Sequence, residues 1–443
     1  MTTGSSEKAG RAAAGSGGGE LTPLLRQYQQ IKAQHPEHVL FFRCGDFYEM
    51  FFEDARICSE VLGITLTARG TDSQGRPVPL SGVPYHSVET YLARMIRAGY
   101  RVAICEQTEN PKTAKGVVRR EVVRVVTPGT VLEENLLDNK ANNYLVALVE
   151  EKGALGLAAL DFSTGQFAIT EFRGAHAAEE CMAEMVRLAP SELIVPRDQR
   201  EALESLLSQN AEFRAQNAPL IGTVDPAAVS PWAARDALLV QMGVRDLSGF
   251  GAEGHPLAVR AAGAILAYLK ETQRTALEHV NELRVYHPGD AMVLDATTQR
   301  SLELVANLTD ATRRHTLLEV LDRTATAMGG RLLRNWLLQP LRDPARINAR
   351  LDAVETFVRD GLLRSRMLEA LKAVNDLERI VSRAACRTAN ARDLLALRNS
   401  LQQVPRLRRL LSESTVSAVA PLSATAAASS GISRASETGP YHG

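Results

Sequence analysis

At 443 residues the chain is long enough for about three domains of ~150 residues each, and 45% hydrophobic with 23% charged residues is an ordinary globular composition. Its 51 Lys and Arg balance its 51 Asp and Glu, so no global basic signature marks a nucleic-acid binder, and any such contact must come from local patches. Five scattered cysteines without a C-x-x-C spacing argue for free thiols in a reducing cytosol and against zinc or a disulfide framework, and neither a membrane-length apolar run nor a secretory leader is present, so a cytoplasmic location is expected.

Residues 1–19 are rich in Gly, Ser and Ala and read as a disordered leader. A helix from Leu21 to His35 opens on Thr22-Pro23, with Leu24, Leu25, Tyr28 and Ile31 on one face. His38 to Phe42 reads as a short buried strand. Gly45-Asp46 punctuates it, and an amphipathic helix is expected through about Leu62, with Asp46 as N-cap and Glu49 as its capping-box partner. That reading puts Phe47 at a strand-to-helix turn between two acids. Taken alone, such a Phe is usually a core residue. Ile64 to Thr67 alternates as a strand and leads into Ala68-Arg69-Gly70, the start of a polar turn through Pro79. A helix at His86–Ala98, a strand at Val102–Ile104 and another at Val117–Val126 complete a mixed α/β first domain with interleaved arginines.

Three strands joined by short turns follow, at Leu145–Val149, Gly156–Phe162 and Gln166–Thr170, predicting an antiparallel meander. A helix at Ala177–Leu188 and a strand at Glu192–Val195 come next. Gly249 to Gly254 matches G-x-G-x-x-G, but no hydrophobic strand precedes it and His255-Pro256 separates it from the helix at Leu257–Lys270, so it reads as a loop and helix start. Beyond Asp290 the pattern is helical: Asp295–Leu304, Leu317–Asp322, Arg331–Leu338, Pro344–Arg359, Leu362–Leu371 and Leu377–Ala385, with apolar spacing persisting to Leu411. From Ser412 the chain turns Ser- and Ala-rich, a low-complexity tail read either as a truncation or frameshift scar or as a divergent native end. No Gly-Lys dipeptide occurs, so no G-x-x-x-x-G-K-[ST] phosphate loop is present.

Four blocks stand in one order: Gly45-Asp46-Phe47-Tyr48-Glu49, Gly82-Val83-Pro84-Tyr85-His86, Ala103-Ile104-Cys105-Glu106-Gln107 and Val125-Val126-Thr127-Pro128-Gly129-Thr130. Together they resemble the MutS family of bacterial mismatch-repair proteins, whose Gly-x-Phe-x-Glu motif presents a Phe wedge and a Glu to DNA. The blocks Leu294 to Thr298 and Met328 to Leu333 resemble the start of that family's lever domain. The resemblance implies a mismatch-recognition domain at 20–130, an RNase H-like connector at 138–275 and a partial all-α lever at 288–411. It also implies mismatched double-stranded DNA as ligand, homodimers that recruit a MutL-type partner, and use of ATP and Mg²⁺ through clamp-bearing and ATPase regions with no counterpart in this sequence. No cofactor is therefore expected in this chain.

The physical logic of Phe47 is that a mismatch unstacks cheaply, so an apolar ring can enter the minor groove there and kink the duplex. Glu49 is useful beside DNA either as a protonated donor to a base acceptor or as a repulsive element that penalises intact pairs. Arg69, Arg76, Arg119, Arg120 and Arg124 are candidate phosphate contacts, and Arg69, Arg76 and Arg119 are the expected ones. Arg119 and Arg120 point to opposite faces of a strand, so at most one of them meets DNA from it. The alternative is a divergent metal-dependent nuclease built on Asp161, with Glu179, Glu180 and Glu192 as further carboxylates. His86, His255 and His315 each stand alone, in core or surface roles.

Overall fold

A computed structural model describes residues 21–109, 116–210, 213, 219–273 and 277–412. The leader read at 1–19 and the tail from 413 lie outside them. The contacts divide the chain into one unit ending at Val126 and another starting at Thr127.

The first unit is a six-stranded mixed sheet with helices on both faces. Helix α1 (Pro23–Gln34) starts where the Thr22 hydroxyl accepts the Leu25 amide and Pro23 fills the first helical position. Strands β1 (Val39–Cys44) and β2 (Phe47–Phe51) precede α2 (Phe52–Leu62), then come β3 (Thr67–Thr71), β4 (Pro77–Pro84), α3 (Val88–Arg97), β5 (Val102–Gln107) and β6 (Arg120–Val126). The spatial order is β3-β4-β2-β1-β5-β6, with β1 and β5 parallel and the other neighbours antiparallel. Leu40, Phe42, Phe51, Ala103 and Cys105 pack with Leu25 and Tyr28 of α1 on one face, while α2 and α3 cover the other.

Two local expectations are corrected. The stretch after Gly45-Asp46 is a strand, not a helix: β2 folds back on β1 with Cys44 opposite Phe47 and Phe42 opposite Glu49. Gly45 takes φ +60° at the first central position of the two-residue turn, where a hairpin of this kind demands glycine. Asp46 is therefore no N-cap and Glu49 no capping-box partner. The helix begins five residues later, at Phe52, which enters with φ +55°. The second correction concerns the polar run, which holds two strands. Arg69 lies on β3, whose five residues are all exposed, and the stretch read as turn through Pro79 already contains the start of β4. Arg119, for its part, precedes its strand, which starts at Arg120.

In the second unit, β7 (Tyr144–Glu151), β8 (Ala154–Asp161) and β9 (Gln166–Phe172) form the antiparallel meander. The turn between β7 and β8 uses Lys152 and Gly153, both at positive φ. Helix α4 (Ala177–Leu188), β10 (Glu192–Pro196), α5 (Arg200–Gln209) and β11 (Leu220–Val224) follow, and β10 runs parallel to both β7 and β11. With α6 (Pro231–Met242), α7 (Pro256–Gln273) and the short β12 (Arg284–Val285), the sheet order is β11-β10-β7-β8-β9-β12, an RNase H-like arrangement. Thirteen of the eighteen residues of α7 are buried, and Gly156 of β8 lets its backbone press directly on the sheet.

The remainder is helical: α8 (Ala296–Ser301), α9 (Leu317–Leu321), α10 (Ala327–Leu338), α11 (Pro344–Arg359), α12 (Gly361–Lys372), α13 (Leu377–Ala385) and α14 (Ala391–Ser412). Side chains of Asp295, Thr316, Thr326, Asp343, Asp360 and Asp376 each accept an amide at a helix start. Helix α8 stops short of the expected Leu304 because Glu303 takes a left-handed φ of +46°. Buried arginines join these helices to the RNase H-like part. Arg331 binds Asp376, Glu378 and the Asn139 carbonyl; Arg379 reaches Ser163 and the Ala141 carbonyl; Arg383 binds Glu134 and Asp393. Among the described residues no helix is long and apolar enough to cross a membrane.

Candidate nucleic-acid interface

The β1–β2 hairpin positions the site. Residues 47, 49 and 51 share the sheet face that α1 covers. Along it Phe51 is fully buried, Glu49 half-buried and Phe47 47% exposed. Phe47 thus presents much of its ring to solvent at the end of the hairpin. The hairpin is fixed from its neighbour strand: the Tyr85 amide donates to the Asp46 carbonyl at 3.0 Å, and Phe47 pairs with Pro84. Gly82 stands opposite Glu49, and a Cβ there would lie 3.9 Å from Glu49 Cγ and 4.0 Å from Phe47 Cδ1. The absent side chain thus leaves a shallow floor of bare backbone between the ring and the carboxylate.

Glu49 is held by Arg69. A single guanidinium nitrogen, Nη1, lies 2.9 Å from Oε1 and 2.8 Å from Oε2. The Arg69 side chain is 55% exposed against 17% for Glu49, so the cation reaches in from solvent to a carboxylate that is largely covered. Beside them the Cys44 thiol is pushed up to about 12 by burial first and by the Glu49 charge second, which keeps it neutral. Behind the hairpin, on the other face, the Tyr48 hydroxyl donates to Glu106, and burial with that partner raises its pKa. Arg43 lies 3.9 Å from the centroid of the Tyr85 ring and donates from Nε to the Gly45 carbonyl. The turn is thereby braced by a cation–π stack.

Of the five expected site residues, Phe47, Glu49 and Arg69 come together. Arg76 pairs with Asp72 at 2.9 Å across the β3–β4 turn, and Arg119 pairs with Glu121. Arg120 is structural: its guanidinium lies over Phe42 and donates to Arg43 O, Gln27 Oε1 and Val118 O. In the sequence Gly82, Tyr85 and Glu106 stand out only as members of the ordered blocks. Their roles are to floor, brace and anchor the hairpin.

The carboxylates of the nuclease alternative are dispersed. Asp161 is fully buried and accepts from Asn142 Nδ2, the Asn143 amide, and the amide and hydroxyl of Ser163, which makes it a turn-closing group. Glu192 accepts from Tyr268, Thr127 and the Gly129 amide, and Glu179 is exposed beside His176. Among the described residues no group of three His, Cys, Asp or Glu is placed to hold a metal. Nothing supports the nuclease reading.

The structure is thus that of a multidomain protein, with an α/β domain carrying an exposed aromatic and an arginine-paired acid on one hairpin, then an RNase H-like domain, then helices. The family models for MutS domain I, domain II and domain III match residues 22–135, 143–281 and 297–438 in that order. The chain belongs to the MutS family. It is 47% identical over 388 residues to the DNA mismatch repair protein MutS of Pelotomaculum thermopropionicum, covering 88% of this chain and 44% of that protein. The DNA mismatch repair proteins MutS of Symbiobacterium thermophilum and Roseiflexus castenholzii are 45% and 42% identical, covering 89% of this chain and 44% and 42% of theirs. The chain thus spans less than half the length of these relatives.

Proposed function

We propose that the first domain reads mismatched double-stranded DNA by placing the Phe47 ring at an unstacked base step, with Glu49 meeting the displaced base. The observation that carries this reading is the exposure of Phe47 at the end of a braced hairpin, on the same face as a partly covered carboxylate. Unstacking costs a few kcal/mol and least where pairing is already weakened, so deformability becomes the quantity that is read. Arg69, Arg76 and Arg119 are exposed enough to exchange their present carboxylate partners for phosphates.

A few arginines neutralise few phosphates, so this chain is expected to bind DNA no tighter than about 10⁻⁴–10⁻⁶ M. Homodimer formation, recruitment of a MutL-type partner and ATP-driven steps belong, on this reading, to the full-length protein. The chain itself is expected to bind no ATP, for want of a phosphate loop, and micromolar ATP binding by calorimetry would contradict that. The central test is fluorescence anisotropy at low salt with a duplex carrying one unpaired thymine and its fully paired control. The wild-type chain should favour the first, and Phe47→Ala should bind both alike. Preserved preference in Phe47→Ala would overturn the proposal.

A further inference from the structure

The Arg69–Glu49 pair has a geometry that a permanent structural ion pair would not choose. Only Nη1 is engaged, straddling both oxygens, whereas arginine binds most firmly through two parallel N–H bonds from two nitrogens. Arg69 stands on the edge strand of the sheet, where all five residues are exposed and the pairing with β4 slips between Ala68 and Thr71. That bulge, with Gly70 at φ +73°, re-aims the strand so that Arg69 reaches over Glu49. A phosphate offers the same guanidinium a two-bond fork.

The surroundings of Glu49 decide what release would cost. Among the described residues Arg69 of β3 binds Glu49, the Cys44 thiol of β1 lies beside it with Arg120 of β6 near that thiol, and Gly82 of β4 stands opposite. The Cys44 thiol is neutral, and Arg120 directs Nε to Arg43 and Nη1 to Gln27 and Val118. Among the described residues Arg69 is the cation bound to this largely covered carboxylate, and its loss is unfavourable unless a new partner appears. In an intact duplex the base edges are already paired. At an unstacked step one of them is free.

We propose that Arg69 is a specificity-determining clamp on Glu49: on paired DNA it stays on the carboxylate, and at an unstacked step it passes to a phosphate while Glu49 turns to the displaced base. This rests on the reading that the Phe47 hairpin meets DNA. Its consequence is that the number of phosphates neutralised differs between the two duplexes by one, and only because of Arg69.

The test is the salt dependence of binding by the full 443-residue chain to the unpaired-thymine duplex and to its paired control. In the wild type the slope of log affinity against log salt should be steeper for the first by about 0.9, the value for one neutralised phosphate. In Arg69→Met the two slopes should coincide. In Glu49→Gln the clamp is open from the start, so the paired duplex should gain affinity, its slope should steepen by about 0.9, and the difference between duplexes should vanish. Arg69→Lys, which keeps the charge on the same strand, should retain a difference. Equal slopes in the wild type, or a difference that survives in Arg69→Met, would overturn the clamp. Failure of the underlying reading looks different. If Phe47→Ala still prefers the unpaired duplex, the hairpin is not the reading element; if that preference is lost but the slopes ignore Arg69, only the clamp is wrong.

Discussion

Phe47 and Phe51 are four residues apart on one strand and one sheet face, yet their energetics should differ sharply. Phe51 is fully buried among Tyr28, Phe42 and Leu40, so Phe51→Ala should cost about 3–5 kcal/mol. Phe47 is 47% exposed, and Phe47→Ala should stay within about 1 kcal/mol of wild type in urea unfolding, since exposed substitutions are usually small. A loss of ~3 kcal/mol at Phe47 would make it core and remove the basis of the proposed function. His38, beside the start of β1, gives a prediction of another kind. Burial, then the charges of His35, Arg101 and Lys32, lowers its pKa to about 4, against about 6.5 in an unfolded chain. A lowered folded pKa means that the unfolded chain takes up the proton first. The His38 contribution is then present above pH 6.5 and drains away as pH falls towards 4. His38→Gln should therefore lose less stability than wild type between pH 7 and pH 4 when thermal melts are compared, and parallel losses would refute the assignment.

Element boundaries were legible in the sequence at some capped helices and not at others: α10, capped by Thr326, starts at Ala327, four residues before the expected Arg331. Helices α11 and α13 start and end at the residues expected, because Asp343 and Asp376 sit in front of unbroken helical spacing and each accepts an amide at the start. The β1–β2 hairpin was misread because the same capping logic applies to Gly45-Asp46: an acid followed three residues later by Glu looks like a helix start, and only the alternation of exposed Phe47, buried Tyr48, half-buried Glu49 and buried Met50 betrays a strand. Strands β3 and β4 were hidden for other reasons. The first buries nothing, and the second carries Pro77, Pro79 and Pro84, which weaken any strand reading. Phe47, Glu49 and Arg69 could be named from the sequence, but their meeting could not, since Arg69 was placed in a turn. The fit between α7 and the meander was equally invisible. A Cβ on Gly156 would stand 2.2 Å from the backbone carbonyl carbon and oxygen of Leu257, which cannot yield as a flexible side chain would. Gly156→Ala should destabilise the second unit by about 1–3 kcal/mol, in contrast to Gly249→Ala, where nothing lies within 4 Å. Equal melting temperatures for the two variants would show that α7 can shift.

At the scale of the second unit, buried arginines tie the helical part to the RNase H-like part. Arg331 is 2% exposed and bridges Asp376, Glu378 and the Asn139 carbonyl. Arg331→Met should remove the charge while leaving two carboxylates facing one another, with a loss of about 3–5 kcal/mol, as when one partner of a buried pair is deleted. Limited proteolysis should then cut near residues 134–143 first, because that segment supplies Glu134 and the Asn139 and Ala141 carbonyls to Arg383, Arg331 and Arg379. Unchanged cleavage in Arg331→Met would mean that the apolar packing alone suffices.

Those same bonds carry a timetable. Glu134 and Arg383 are 249 residues apart in the chain, and Ala141 and Arg379 are 238 apart. Synthesis at about 5–20 residues per second means that Glu134 is made roughly 12–50 s before its arginine exists. The meander and its helices have time to close on themselves, while the strip from 134 to 143 waits with its acceptors turned to water. Helix α13, arriving late with Arg379 and Arg383 one turn apart on a single face, then ties that strip down. Translation order is in this sense built into the joint.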